Sequence, residues 1–246
     1  MSSPRTLIFR TAGTNCDREL AYAFELAGAS CDTLHISQVI ENPALIDNYQ
    51  LIGFPGGFSY GDDIASGRIY ANLIKHRLHG PLRDAAKRGV PIVGICNGFQ
   101  VLVKLGLLPF PLEDGQPATL ADNTSGRFQC RWEGMVADAS SVCVWTKGMS
   151  QFDLPIAHGE GRFLASPEVL ETLKKNGQIA LRYQGDPNGS TDRIAGICDP
   201  TGRIFGLMPH PERYTLGTHH PQWTRRPEEK VTPGLQMFLN AVAAVK

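Results

Sequence analysis

The chain has 246 residues, and 24 Lys plus Arg are balanced by 24 Asp plus Glu, so its formal net charge at pH 7 is zero. A chain without net charge has no overall field to recruit nucleic acid, an anionic membrane or a strongly charged substrate. No segment approaches the roughly 18 apolar residues of a membrane span, and the amino-terminal apolar patch is too short for a secretory leader. We therefore expect a soluble, unprocessed protein that binds neither nucleic acid nor membrane.

The first half of the chain alternates strand patterns with helical patterns. The predicted strands are 6–9, 31–36, 51–54 and 90–95, and the predicted helices are 17–27, 64–79 and 81–88. Gly80 and Pro81 are expected to separate the last two helices. Strands that alternate with helices indicate a parallel sheet.

From about residue 128 onward the pattern changes to short strands separated by turns rich in Gly, Pro, Asn and Asp. The predicted strands here are 128–132, 142–145, 179–183, 194–198 and 204–208, followed by a closing helix near 232–245. We therefore predict an α/β fold with one open, mainly parallel sheet flanked by helices and a strand-rich second half. The length suits a single domain of residues 1–246.

The six cysteines are scattered, and none forms a C-x-x-C pair. This spacing argues against a structural zinc site and against a compact disulfide framework. Unpaired thiols are typical of a reducing compartment, so we expect a cytoplasmic protein without a bound metal.

One cysteine, Cys96, lies between Gly94 and Gly98, where a buried strand meets a helix. In a nucleophile elbow the bend leaves no room for flanking β-carbons, and glycines meet that requirement. The positive end of the following helix would lower the pKa of the thiol and offer free N–H groups to an oxyanion. The pattern favours a nucleophilic cysteine over a buried structural one.

A cysteine nucleophile needs a base, and His210 is the best placed of seven histidines. It follows an apolar strand, and flanking prolines direct its ring. Glu212 is close enough in sequence to accept the Nδ1 proton, which would leave Nε2 for the sulfur.

A glycine-rich loop, residues 53–63, follows another apolar strand. It matches no phosphate-binding motif. Instead it can place an amide beside Cys96 and complete an oxyanion hole with the N–H of Asn97. Asp62 and Asp63 in this loop are expected to cap the next helix rather than to act as acids or metal ligands.

Five segments together resemble class I glutamine amidotransferases, and among them the family of separate glutaminase subunits of phosphoribosylformylglycinamidine synthase. They are P-G-G-F-S-Y-G-D, G-I-C-N-G-F-Q, N-T-S-G-R-F-Q-C-R-W, P-I-A-H-G-E-G-R-F and M-P-H-P-E-R. The resemblance implies that Cys96 is the nucleophile, His210 the base and acid, Glu212 its orienter, and Gly57 and Asn97 the oxyanion donors. Glutamine itself is expected to contact Gly56, Gln100, Arg131 and His158.

Two of these residues keep alternative interpretations. Arg131, like Arg127, can hold the glutamine carboxylate, contact a partner or lie on an ordinary half-buried strand. His158 can border the pocket, cap a turn or compete with His210 as the base. We prefer His210 because of its strand-end position and its nearby glutamate.

By this resemblance the chain hydrolyses glutamine to glutamate and ammonia. The chain has no ATP loop of its own, so we expect a synthetase subunit that carries ATP and Mg²⁺, with a small accessory subunit as a further candidate partner. The alternatives are another cysteine hydrolase with the same elbow, of the peptidase, deglycase-like or γ-glutamyl hydrolase type, and a non-catalytic binding protein. A non-catalytic relative would be expected to lack a triad member, and none is missing.

Overall fold

The computed structural model describes residues 3–62, 65–227 and 229–246. Its helices are α1 (Asp17–Leu26), α2 (Ile36–Glu41), α3 (Arg68–Arg77), α4 (His79–Lys87), α5 (Asn97–Leu105), α6 (Pro167–Lys175) and α7 (Pro233–Ala243). Its strands are β1 (Arg5–Arg10), β2 (Ser30–His35), β3 (Leu51–Phe54), β4 (Ile92–Ile95), β5 (Ala118–Ala121), β6 (Gln129–Ala137), β7 (Gln151–His158), β8 (Arg162–Ala165), β9 (Ile179–Tyr183), β10 (Ile194–Cys198) and β11 (Ile204–Leu207). No helix in these ranges is long and apolar enough to cross a membrane.

The main sheet has the strand order β2-β1-β3-β4-β11-β10-β9-β6-β7. The first five strands in this order, from β2 at the edge to β11, pair in parallel. The last four strands, β10, β9, β6 and β7, continue the sheet with antiparallel pairs. Strands β5 and β8 form a separate two-stranded sheet. The predicted α/β fold with a strand-rich second half is therefore confirmed.

Strands β3 and β4 are buried at every position, which explains why their sequences are short apolar runs without alternation. Helices cover the sheet in two groups, since α1 packs on α7 and α3 packs on α5. In the first group Phe24 of α1 meets Phe238 of α7 edge to face, with ring centroids 5.0 Å apart. Because β3, β4 and β11 are parallel neighbours, their carboxyl ends lie at one edge of the sheet, where ligands bind in such folds.

The β6–β7 hairpin brings the second half of the chain to this edge. The two strands pair from Gln129 opposite His158 to Val136 opposite Gln151. Only Met135–Ala137 of β6 pair with β9, so the Gln129 and His158 end extends beyond the rest of the sheet. This end contacts the carboxyl end of β11, where the carbonyl oxygen of Pro155 accepts a 2.8 Å hydrogen bond from the backbone N–H of His210.

Three of the predicted elements need correction. The strand predicted at 142–145 is wrong, because the backbone N–H groups of Val142 and Val144 bond the loop carbonyls of Gly177 and Gly202, each at 2.9 Å. Cys143 and Trp145 of this segment are buried, and Trp145 donates from Nε1 to the carbonyl of Arg203, whereas Val142 is exposed. The break predicted at Gly80 lies at Leu78, and α4 begins at His79 because a proline in the first turn loses no helical hydrogen bond.

Helix α3 begins at Arg68, later than the predicted 64–79, and follows Gly67 in a left-handed conformation with φ 71°. Asp63 and Ile64 lie outside the described residues. Asp62 does not occupy the helix N-cap position, but its carboxylate accepts from the backbone N–H of Gly67 at 3.3 Å and from the Ser66 hydroxyl at 3.0 Å. Asp62 therefore fastens the turn before α3, and the prediction that it caps this helix is wrong, because no side chain caps the N-terminus of α3 among the described residues.

Candidate active site

Cys96 stands at the junction of β4 and α5 with φ 52° and ψ −107°, a conformation that is strained for a residue with a β-carbon. A β-carbon on Gly94 would lie 2.6 Å from the carbonyl oxygen of Gly98, and one on Gly98 would lie 2.0 Å from that of Phe54. The two glycines are therefore required by close backbone approach, as the elbow pattern predicts. The cysteine is 7% exposed, and its Sγ lies 3.6 Å from the carbonyl oxygen of Ala157 on β7.

His210 follows β11, the parallel neighbour of β4, and is therefore brought to the same edge as Cys96. Its Nδ1 lies 2.6 Å from Oε1 of Glu212, and both side chains are buried. Burial alone would lower the pKa of His210. The Glu212 charge and the nearby thiols of Cys16 and Cys96 outweigh burial, so the pKa lies well above its ordinary value. The predicted thiol, imidazole and carboxylate are thus neighbours.

Gly57 has φ 140°, and a β-carbon there would lie 2.6 Å from the carbonyl oxygen of Gly13. The loop is held by this earlier segment, because Asn15 and Cys16 donate their backbone N–H groups to Gly56 and Phe58 donates to Gly13. Within the described part of the chain, the backbone N–H groups of Gly57 and Asn97 bond no acceptor. Both predicted oxyanion donors are therefore available for a ligand.

Gly56 lies at the centre of the site. An added β-carbon would be 3.0 Å from Cε1 of His210, 3.2 Å from Sγ of Cys16 and 3.5 Å from Cβ of Cys96. A side chain at this position would therefore press against the His210 ring and the Cys16 thiol, while its β-carbon would be in ordinary contact with Cys96.

The side chains of Asn97 and Gln100 fasten the surrounding loops. The Asn97 carboxamide accepts from the backbone N–H of Ser59 at 3.4 Å and donates to Asp62 and to Gln100. Gln100 in turn donates to the carbonyl oxygen of Glu160 at 2.6 Å. Its predicted contact with glutamine stays a prediction, since the carboxamide is engaged with protein groups at both ends.

Arg131 lies on the exposed face of β6, where its guanidinium is paired with Glu133. Among the described residues it makes no hydrogen bond to the predicted triad. The structure therefore does not bring Arg131 to Cys96 in the way it brings His210.

His158 ends β7 and is 3% exposed, with Nδ1 3.0 Å from Oδ1 of Asn123. The amide nitrogen of Asn123 donates to the carbonyls of Arg127 and His158, so its oxygen faces the ring and Nδ1 carries the proton. Burial, helped by the nearby His210, lowers the pKa of His158 to about 4. Its Nε2 is consequently an acceptor, and it has no hydrogen-bond partner within the described ranges.

Cys16 is a site residue that no sequence motif predicts. This residue precedes α1, is 1% exposed, and accepts a 3.0 Å hydrogen bond from Nη2 of Arg213. Burial raises the pKa of its thiol, although contact with His210 works in the opposite direction. Its placement depends on contacts between distant parts of the chain, and the only local signal is the start of a helix.

A family model described as the CobB/CobQ-like glutamine amidotransferase domain matches residues 3–245. The phosphoribosylformylglycinamidine synthase subunit PurQ of Dehalococcoides mccartyi is 47% identical over 98% of this chain and 98% of its own length. PurQ of Methanococcus maripaludis strain S2 is 43% identical, over 97% of this chain and 96% of its own. The chain belongs to the PurQ family.

Solved structures agree with membership of the PurQ family. A chain of PurLQS from Thermotoga maritima matches with a TM-score of 0.78 and 32% identity, covering 99% of this chain and 100% of that one. A glutamine amidotransferase from the same organism, only 16% identical, matches with a TM-score of 0.56 over 92% of this chain and 82% of its own, which shows the fold alone. The resemblance inferred from the five sequence motifs is confirmed.

Proposed function

We propose that this PurQ-family chain is a glutaminase subunit, which releases ammonia from glutamine for a synthetase that makes phosphoribosylformylglycinamidine in purine biosynthesis. One observation carries the proposal, namely the buried His210–Glu212 pair beside a strained, elbow-borne Cys96. The names of its relatives support the same activity. A complete and buried constellation of this kind argues against a non-catalytic role.

In the first half-reaction the Cys96 sulfur attacks the side-chain amide carbon of glutamine, and its proton passes to Nε2 of His210. This nitrogen suits the task because Nδ1 is held by Glu212 and Nε2 has no partner among the residues described. The N–H groups of Gly57 and Asn97 then hold the oxyanion of the tetrahedral intermediate.

The first half-reaction ends when His210 returns the proton to the departing nitrogen, which leaves as ammonia and yields a γ-glutamyl thioester on Cys96. In the second half-reaction a water molecule gives a proton to Nε2 and attacks the thioester carbonyl, forming a second tetrahedral intermediate. Its collapse breaks the carbon–sulfur bond, the sulfur recovers the proton from His210, and glutamate is released. Glu212 stabilises the imidazolium in both stages because its carboxylate faces Nδ1.

The other predicted site residues can be assigned roles in binding glutamine or a partner. His158 would accept a hydrogen bond from an N–H group of glutamine, because its Nε2 is a buried acceptor without a partner in the described chain. Gly56 would let the substrate approach Cys96 closely. Gln100 would act on the substrate through the Glu160 loop that it holds. Arg131, exposed on β6, would suit a partner contact better than the glutamine carboxylate.

The ammonia requires an acceptor, and we propose a synthetase subunit as the partner that uses it. ATP and Mg²⁺ would bind to that subunit, and a small accessory subunit would complete the assembly. The similar chain from a structure named PurLQS supports an assembly with other subunits. We further propose that residues 1–246 act as one glutamine amidotransferase domain in the cytoplasm. Support comes from a hydrophobic cluster that runs from Leu7 of β1 to Val242 of α7.

The test is Cys96→Ser in the assembled complex. We expect glutamine-dependent synthesis to be lost while synthesis from added ammonia stays largely intact, because only ammonia release uses this thiol. Cys130→Ser, which alters an exposed cysteine, is the matched control and should leave both activities unchanged. Equal loss with both nitrogen sources in Cys96→Ser would overturn the assignment.

A further inference from the structure

Cys16 lies beside the proposed triad but has no step in the reaction. Its Sγ, a ring nitrogen of His210 and a carboxylate oxygen of Glu212 all lie within 4.8 Å of one another. All three side chains are buried, and Oε2 of Glu212 has no hydrogen-bond partner in the described part of the chain. Three different donor types from separate segments therefore converge on one point.

We propose that Cys16, His210 and Glu212 form a binding site for a divalent metal ion of the zinc class, and that its occupation switches the glutaminase off. Zinc takes thiolate, imidazole and carboxylate ligands at about 2.0–2.3 Å, in a tetrahedral arrangement whose fourth position can hold water. Donor atoms already within 4.8 Å of one another need shifts of only about 1 Å to share such an ion. The metal binding stands by itself, whereas the inhibition rests on the function proposed above.

The charges and protons of the bound state balance. The ion replaces the proton between Nδ1 of His210 and Glu212, that proton moves to Nε2, and the Cys16 thiol releases its proton to solvent. Thiolate and carboxylate together neutralise the two charges of the ion, so no uncompensated charge is buried. With Nε2 protonated, His210 cannot accept the proton of Cys96, and the reaction cannot start.

Two neighbours favour the thiolate that the ion requires. Cys16 is the N-cap residue of α1, where the helix dipole stabilises negative charge, and Arg213 donates to its Sγ. The charge of Arg213 is offset by Glu19, which accepts from its Nε at 3.1 Å. The guanidinium can therefore stabilise the thiolate, while Glu19 reduces its repulsion of the bound metal ion.

The experiment titrates the full chain with Co²⁺, followed by displacement with Zn²⁺, and records the thiolate-to-cobalt absorption band and the dissociation constant. The decisive variant is Cys96→Ala, which removes the nucleophile but keeps the three proposed ligands. We expect wild type, Cys96→Ala and the exposed-thiol control Cys130→Ser to bind one ion with equal affinity. Cys16→Ser and Glu212→Gln should each weaken binding at least tenfold, since each loses a ligand.

A second arm measures glutaminase activity in the complex with and without Zn²⁺. Each variant is compared with its own metal-free rate, and on that scale Cys16→Ser should need at least ten times more Zn²⁺ for half-inhibition than the wild type. The proposal is wrong if Cys96→Ala weakens ion binding as much as Cys16→Ser does, because the ion would then be bound by the nucleophile Cys96 together with His210. It is also wrong if the wild type binds no ion, or binds it without losing activity. Binding by a chain that lacks glutaminase activity even without metal would overturn only the proposed function.

Discussion

His210 and Glu212 are joined by a 2.6 Å hydrogen bond that is shielded from solvent, although only Pro211 separates them in sequence. The short 3-10 turn Pro211–Arg213 bends the chain so that the carboxylate returns to the imidazole. Base and orienting group are therefore placed by one rigid local segment. Substitution of each residue can consequently separate the proton-transfer role from the orienting role.

Glu212→Gln should be much less damaging than His210→Ala. The Gln oxygen can still accept from Nδ1 and keep Nε2 free, so only the charge is lost, and we expect kcat to fall less than in His210→Ala. Removal of the base itself should cost about 10⁴-fold. Steady-state glutaminase kinetics of both variants decide the matter. A more severe effect from His158→Ala than from His210→Ala would mean that the wrong histidine is assigned as the base.

His158 should make the protein sensitive to acid. Its pKa is lowered from 6.5 to about 4 in the folded state, so the unfolded chain takes up a proton first as the pH falls. This part of the stability is present above pH 6.5 and is lost between pH 6.5 and 4, by roughly 3 kcal/mol. Urea unfolding of His158→Gln should therefore show a smaller loss over that range than the wild type. The exposed His76→Gln is the control, and equal losses in all three proteins would contradict the prediction.

Gly57→Ala should disable the oxyanion hole without unfolding the protein. The added methyl group would lie 2.6 Å from the Gly13 carbonyl oxygen, so the loop must move and take the Gly57 N–H with it. Loss of one oxyanion donor lowers kcat by about 10²-fold. Gly148→Ala is the matched control, because that glycine also has positive φ but has nothing within 4 Å of an added β-carbon. Circular dichroism should show that both variants are folded, and an equal kcat for both would refute the role of Gly57.

The isolated chain should hydrolyse glutamine weakly and respond strongly to its synthetase. The loop after Gly57 contains Tyr60 and Asp62 at φ 56° and 54°, a strained backbone that a partner can rearrange. Exposed Phe58 and Phe128, with ring centroids 6.2 Å apart, offer an apolar contact at the same place. Alignment of one oxyanion donor changes the barrier by roughly 3 kcal/mol, or about a hundredfold in rate.

Glutamine hydrolysis should therefore be measured for the chain alone and with the synthetase, ATP and the phosphoribosyl amide substrate. A strong rise on addition of these components is the expected outcome. Full activity of the chain alone would rule out gating by the partner but leave the assignment of the triad unaffected.

The sequence predicts what short-range geometry determines. The elbow at Cys96 is recognisable because its strand, glycines and helix lie within one short segment, and β3 and β9 are found at their predicted positions for similar reasons. Strand β7 is not recognisable, because Pro155 interrupts its pattern. The structure tolerates that proline because β7 is an edge strand.

Long-range contacts account for the remaining differences. Residues 142–145 alternate between more exposed and buried side chains as a strand would, although their hydrogen bonds go to loops. Cys16 reaches the site through contacts with distant parts of the chain, since its backbone N–H bonds Gly56 and its thiol accepts from Arg213. Helix α6 is a different case, since Ser166 caps it and Pro167 opens it, and this start signal is present in the sequence.

The end of the β6–β7 hairpin at Gln129 and His158 should determine the order in which activity and structure are lost on heating. This end carries His158 and the carbonyl that faces Cys96. It is held by individual hydrogen bonds, such as those from His210 to Pro155 and from Asn123 to His158, while β6 pairs with β9 only through Met135–Ala137. Segments held by individual hydrogen bonds open at lower free energy than a buried parallel sheet. Catalysis should therefore disappear at temperatures where strands such as β3 and β4 still protect their amides from hydrogen exchange.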